Sequence, residues 1–246
     1  MFNIIMKVGF YFNCYKNYNA TDNVLKILRK HYPDNPVFLM NDHGDDLSEL
    51  ARKYNCCYYY SPINILGGRI INDKRVMCFS NEECARHYLK VILKAIKYCK
   101  TEYLVLMEDD VLINGQITHY PKHAGGDKIG NYFRSLLKNN DDSILYREYP
   151  KIEMNYWNLA GGSILNCKTM KECIKNTKFE EIKKFDKFCN SEFELWHTND
   201  VLLNYILMIN GKTAEEWTNT DKSNIIHPYK KFYDNNLGIN EGVYRK

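Results

Sequence analysis

The sequence has no CxxC pair and no Cys/His cluster at zinc-ligand spacing, which argues against a structural zinc site. Its nine cysteines are an odd number and fall mostly inside apolar periodic segments, as Cys84 and Cys99 do. They read as reduced, buried thiols of a cytoplasmic protein rather than as a disulfide framework. Charge of one sign is not in excess: 34 Lys+Arg against 30 Asp+Glu leave a formal +4, and the basic runs Lys183-Lys184 and Lys230-Lys231 are short. So balanced a chain lacks the footprint of a nucleic-acid binder. No apolar run is long enough to span a bilayer; the one before Lys7 is short, and no small-residue cleavage site follows it. Repeats and low-complexity linkers are missing as well, and no break cuts the 246 residues into independent domains. What remains, 45% of it hydrophobic, suffices for one domain with a real core.

Along the first half, strand and helix patterns alternate. Lys7 to Asn13 reads as a first core strand, followed by an amphipathic helix carrying Val24, Leu25 and Leu28 that Pro33 stops. "VFLMND" (Val37 to Asp42) reads as a second buried strand. Leu47, Leu50, Ala51 and Tyr54 share one face of a short helix, and "CCYYY" (Cys56 to Tyr60) is a third strand. Ser80 and Glu83 form a capping-box pattern opening a long helix striped by Cys84, Tyr88, Ile92, Ala95 and Cys99. "YLVLM" (Tyr103 to Met107) is a fourth strand. This order predicts a parallel α/β sheet, in which ligands bind beyond the carboxyl ends of the strands. The second half is less regular. Ile129, Tyr132, Phe133, Leu136 and Leu137 suit a helix, "GGSILN" (Gly161 to Asn166) a strand, and Asn199 to Asn210 a helix that Gly211 ends. After about Lys212 periodicity is weak.

The run "VLMEDDVLI" (Val105 to Ile113) places Glu108, Asp109 and Asp110 at the end of the fourth strand. If strand alternation continues, Glu108 and Asp110 emerge on one side and Asp109 on the other. Such close carboxylates repel one another unless a divalent cation such as Mg²⁺ or Mn²⁺ joins them. The competing reading is an acidic helix N-terminus or a solvated turn, which the apolar flanks disfavour.

In this setting "YLVLMEDDVLI" resembles the D-x-D segment of nucleotide-sugar glycosyltransferases of the GT-A fold, in an E-D-D form. "VGFYFNCYKN" is similar to the first strand and donor-binding turn of family 2 glycosyltransferases, although it lacks their Pro and final Asn. "LMNDHGDD" resembles their acidic turn after the second strand, with His43 inserted, and "NILGG" (Asn64 to Gly68) their Asn-x-Gly loop. "TNDVLLNYILMINGKT" (Thr198 to Thr213) resembles their E-D-x-x-L helix, with Asn199 where Glu is usual. The resemblance covers about Val8 to Thr213. It implies an α/β, Rossmann-like GT-A domain with a mixed, mainly parallel sheet flanked by helices. Residues 1 to about 115 would form the nucleotide-sugar half, and about 116 to 246 the acceptor and catalytic half.

It further implies an enzyme that moves one sugar, with inversion, from a UDP- or GDP-sugar to a glycan or other hydroxyl acceptor. The Q-x-x-R-W motif of processive synthases is absent. Asp110 would bind Mn²⁺ or Mg²⁺, with His227 as a further metal ligand. Glu108 and Asp109 would support the metal or contact the donor ribose. Asn13, Asp42, Asn64 and Arg69 would hold the donor, Lys74 and Arg75 lying in the same Gly-containing loop as Arg69. Gly161 and Gly162 would let backbone approach the ligand, and Tyr156 and Trp157 would stack on a sugar. Asp200 would be the catalytic base, with Glu192 or Glu194 as competitors. Each has a plainer reading: a turn Asp at 42, a solvated loop at 69 to 75, a helix N-terminal carboxylate at Asp200, core aromatics at 156 and 157, and a surface His beside a Pro at 227. A sugar nucleotidyltransferase or a non-catalytic carbohydrate- or nucleotide-binding module are the alternative functions. The Gly-rich, basic signature of the former is missing near the first strand.

Overall fold

The four apolar runs of the first half form strands β1 (Val8–Cys14), β2 (Val37–Asn41), β3 (Cys57–Tyr60) and, after two intervening strands, β6 (Tyr103–Met107) in a computed structural model. It describes residues 6–65, 68–71, 74–77, 82–127, 159–178, 180–183 and 198–227. Helices α1 (Tyr18–His31), α2 (Ser48–Lys53) and α3 (Glu82–Cys99) lie where the 3.6-residue pattern puts them. Asn17 starts α1 by accepting the Ala20 amide at 3.1 Å, and Arg29, Lys30 and His31 occupy its last turn, where positive charge suits the helix dipole. The expected helix around Ile129 to Leu137 and the residue Ser80 lie outside the described residues.

Among the described residues, strands β8 (Ala124–Gly126), β9 (Ile164–Asn166) and β10 (Ala214–Glu216) extend the sheet to seven strands in the order β10-β8-β9-β6-β1-β2-β3. β6, β1, β2 and β3 run parallel, while β9 is antiparallel to both β6 and β8. After β1 the chain steps outward to β2 and β3, then returns to place β6 on the other side of β1. That reversal opens a crevice between the carboxyl ends of β1 and β6, the usual ligand position in an open α/β sheet.

Two apolar layers cover the sheet. Tyr11, Phe38, Met40, Leu104 and Leu106 belong to the core shared with α3, α4 (Cys167–Asn176) and α5 (Thr198–Ile209). Phe10, Phe12, Leu39, Val105 and Met107 belong to the core shared with α1 and α2. The stripe Cys84, Tyr88, Ile92, Ala95 and Cys99 is buried throughout. The end of α3 presses so closely on β1 that a Cβ on Gly9 would lie 2.7 Å from that of Cys99. Every described cysteine is a free thiol. Gly211, with φ of +67°, ends α5 as expected, its amide and that of Lys212 each bonding a last-turn carbonyl at 2.9 Å.

Four expectations need correction. The segment around Arg69, Lys74 and Arg75 is an antiparallel hairpin of β4 (Gly68–Ile71) and β5 (Lys74–Met77) rather than a loop. The strand expected over Gly161 to Asn166 begins at Ile164, because Gly161 and Gly162 turn. The weakly periodic tail contributes β10 and β11 (Ile225–Ile226), the latter pairing with β7 (Leu112–Ile113). Finally, β6 stops at Met107, so the acidic triplet lies in a turn closed by the Val111 amide donating to the Glu108 carbonyl at 3.2 Å. Strands of two or three residues leave too short a period-2 signal to read.

Candidate metal centre

Three chain segments meet at the end of β6. In the β6–β9 register Val105 faces Ile164, and the Gly162 amide donates to the Leu106 carbonyl at 2.7 Å, which carries Gly161 to Glu108. The antiparallel β7–β11 pair sets Ile226 opposite Leu112, so the next residue, His227, arrives beside the turn that holds Asp110. The result is a cluster in which one ligand atom each of Glu108, Asp110 and His227 lies within 4.8 Å of the others. Asp110 is 1% exposed and His227 6%, with His227 Nε2 at 3.3 Å from Asp110 Oδ1. His227 is therefore not a surface histidine. Glu108 and Asp110 do share a side, through a turn rather than through strand alternation.

The two glycines are explained by their neighbours. A Cβ on Gly161 would lie 2.9 Å from Glu108 Cδ and 3.1 Å from Val111 Cγ2, and its amide donates to Glu108 Oε1 at 3.2 Å. Gly162 has φ of +84°, and a Cβ there would lie 2.8 Å from Thr218 Cγ2 and 3.2 Å from the His227 Cβ. What approaches this backbone closely is thus the side chains of the cluster.

The donor set fits a divalent cation. Two carboxylates and an imidazole, with no thiol, suit a hard to borderline ion and leave coordination positions for water or phosphate oxygens. The surroundings are electronegative. Burial first, then Asp109 and Asp42, push the Cys14 thiol well above its ordinary value; burial first, then Tyr88, Asp42 and Glu108, do the same to the Tyr11 phenol. Carboxylates from the ends of β2 and β6 thus bear on the end of β1 from both sides, a field that attracts cations.

Across the crevice, Asp42 is buried just past β2, and its Oδ1 accepts the Ile65 amide at 2.5 Å, tying the loop after β3 to β2. Asn64 stands next to that contact. The Oδ1 atoms of Asn13 and Asn64 and the Tyr11 hydroxyl are buried without a hydrogen-bond partner among the described residues. The inserted His43 takes φ of +60°, and Gly44 packs so tightly that a Cβ would lie 1.6 Å from the Tyr15 carbonyl oxygen. Asp200 is the third residue of α5, but its side chain lies outside the described residues, as do those of Arg69, Lys74 and Arg75. Tyr156, Trp157, Glu192 and Glu194 lie outside them altogether. The structure therefore unites Glu108, Asp110, Gly161, Gly162 and His227, and separately brings Asp42 to Asn64. Tyr11, Thr218 and Asn219 border the site with no sequence signal, since their roles depend on nonlocal pairing.

No protein-family model and no curated protein matches the sequence. Among solved structures, the chain is similar to the apo form of the bifunctional glycosyltransferase WbbM, at 11% identity and TM-score 0.52. That likeness covers 93% of this chain and 47% of WbbM, so the chain spans about half the length of that protein. It also matches galactosyltransferase LgtC in complex with donor and acceptor sugar analogues, at 13% identity and TM-score 0.46, over 85% of this chain and 74% of LgtC. A cytidylyltransferase of Leptospira borgpetersenii matches at 11% identity and TM-score 0.38, over 92% and 84% of the two chains. The first of these carries the fold, and with the mixed sheet it identifies the GT-A architecture. Among the described residues, no helix is long and apolar enough to cross a membrane.

Proposed function

We propose that this chain is a metal-dependent glycosyltransferase that moves one sugar from a nucleotide-sugar to a hydroxyl acceptor. One observation carries the reading: the buried Asp110 and His227 and the half-buried Glu108 converge at the β1–β6 switch point of a GT-A sheet. Asp110 and His227, with Glu108 beside them, would hold Mn²⁺ or Mg²⁺; the imidazole favours Mn²⁺, because Mg²⁺ prefers an all-oxygen shell. When bound, such an ion neutralises the diphosphate as it departs.

The chain's own residues account for the rest. Asn13, Asp42 and Asn64 lie along the ends of β1, β2 and β3, where the nucleoside would rest, and the bare Oδ1 atoms of Asn13 and Asn64 are acceptors that ligand donors would satisfy. Arg69 supplies a cation toward the phosphates, and Asp109 a contact to the ribose. Gly161 and Gly162 keep Glu108 and His227 in place. Tyr156 and Trp157 stack on the acceptor. Asp200 takes the proton of the acceptor hydroxyl while that oxygen bonds to the anomeric carbon and the bond to the diphosphate oxygen breaks, which inverts the centre. On this reading residues up to about 115 handle the donor and the remainder the acceptor.

The test is a thermal-shift panel of nucleoside diphosphates and their sugars with and without Mn²⁺, followed by product analysis with the best donor. A ligand that binds the native state raises the apparent melting temperature, by about 2.7 kcal/mol of stability at a hundredfold excess over Kd. The expected result is an Mn²⁺-dependent shift by one nucleotide-sugar, abolished in Asp110→Asn, with release of a nucleoside diphosphate. Release of pyrophosphate from a nucleoside triphosphate supplied with a sugar 1-phosphate, with no sugar transfer from the nucleotide-sugar, would instead identify a nucleotidyltransferase. No shift by any member of the panel would refute donor binding.

A further inference from the structure

We infer that Asn219 is the positioning residue of the metal centre, clamping the backbone of His227 so that its imidazole stays against Asp110. The inference rests on the metal reading above. His227 has weak support from its own strand, because β11 is only Ile225–Ile226 and His227 is the residue after its end. The support comes from the side. The Asn219 carboxamide spans the His227 peptide groups: Oδ1 accepts the His227 amide at 2.7 Å, and Nδ2 donates to the His227 carbonyl at 3.4 Å. Nδ2 also donates to Asp127 Oδ2 at 3.2 Å, just past β8, so the clamp is braced against the main sheet.

The backbone is shaped for this. Asn219 has φ of +59°, a conformation that Asn adopts more readily than other side-chain-bearing residues, and its own amide donates to the Ile225 carbonyl at 3.0 Å. Its predecessor Thr218 is 1% exposed and donates through Oγ1 to the Gly162 carbonyl at 2.8 Å. Residues 218 and 219 thereby tie the glycine turn under Glu108 to the segment that presents His227. A two-residue strand holds the His227 backbone weakly, whereas the two hydrogen bonds it shares with the Asn219 amide, braced by the third to Asp127, fix the peptide groups from which the imidazole hangs. Partners outside the ligand shell of this kind commonly change metal affinity about 10- to 100-fold.

The test compares the wild-type chain with Asn219→Gly, Asp127→Ala, Asp127→Asn and His227→Ala. Glycine keeps the left-handed backbone and deletes only the clamp. Mn²⁺ affinity is read by EPR titration, and imidazole coordination by the ¹⁴N modulation in the electron spin echo of bound Mn²⁺. Melting curves in metal-free buffer report stability separately. Asn219→Gly is expected to bind Mn²⁺ about 10-fold more weakly or worse and to lose the ¹⁴N modulation, as His227→Ala does, while remaining folded at the assay temperature. Asp127→Ala should show an intermediate loss that Asp127→Asn, which keeps an acceptor for the amide, restores. Wild-type affinity with intact ¹⁴N modulation in Asn219→Gly would overturn the clamp and leave the metal reading standing. If Asn219→Gly is too unstable to assay, unchanged modulation and affinity in Asp127→Ala would overturn it instead. If the wild-type chain binds no Mn²⁺, the metal reading falls and the inference falls with it.

Discussion

Substituting alanine at the adjacent glycines 161 and 162 should have opposite consequences. At Gly162 the backbone is left-handed, with φ of +84°. Any L-residue there costs about 1–2 kcal/mol. The new methyl would also lie 2.8 Å from Thr218 Cγ2 and 3.2 Å from the His227 Cβ, both close to the backbone and both packed. Relieving such overpacking typically costs a further ~1–3 kcal/mol. Together these give about 2–5 kcal/mol, or a fall in Tm of roughly 4–20 °C for a domain of this size. At Gly161 the contacts within 3.0 Å are Glu108 Cδ and Cγ, the outer part of a flexible side chain. Turning it about 30° off its rotamer costs only about 0.5–1.5 kcal/mol, but shifts its carboxylate relative to Asp110. Gly162→Ala should therefore be mainly a stability variant, and Gly161→Ala mainly a metal-affinity variant. Calorimetric melting in metal-free buffer and Mn²⁺ titration of both proteins test this. A Gly162→Ala Tm within about 1 °C of wild type, or a Gly161→Ala that melts lower than Gly162→Ala while binding Mn²⁺ normally, would refute the packing argument.

Further outcomes follow from the same geometry and chemistry. Asp200→Asn should lower the transfer rate by roughly 10²–10⁴ while leaving the Mn²⁺-dependent thermal shift of the donor in place, since a general base acts on the acceptor; equal loss in both measurements would remove it from that role. The Cys99 and Cys167 thiols are each pushed from 9.0 up to about 12, chiefly by burial. The unfolded chain therefore releases these protons first, so their stability contribution is complete below about pH 9 and declines between about 9 and 12, by about 1.4 kcal/mol per pH unit for each thiol. Urea denaturation across that range should show a shallower decline for Cys99→Ala than for wild type, and equal slopes would contradict the burial of that thiol.

The frame of the protein was legible residue by residue. Val24, Leu25 and Leu28 announced α1, the buried runs at Val37 and Tyr103 announced β2 and β6, and the order of these elements pointed to a crevice at the strand ends. Each is a local pattern longer than one helical turn or four strand residues, and burial of one face enforces it. The acidic triplet could be placed at a strand end for the same reason. Its geometry could not, because β6 stops one residue before Glu108 and the turn, rather than the pleat, orients the carboxylates.

What tertiary structure alone decided is the company Asp110 keeps. His227 reaches it through pairing of Leu112–Ile113 with Ile225–Ile226, two pairs of residues with no period to detect and more than a hundred positions of chain between them. Gly161 and Gly162 reach Glu108 and His227 through the antiparallel register of β9 on β6, which nothing local distinguishes from a parallel one. Hydrophobic periodicity records which face of an element is buried, and so it determined the layers of this protein. It holds no record of which short segments meet at their ends, and there the nonlocal pairing of β7 with β11 and of β9 with β6 brought Glu108, Asp110 and His227 together.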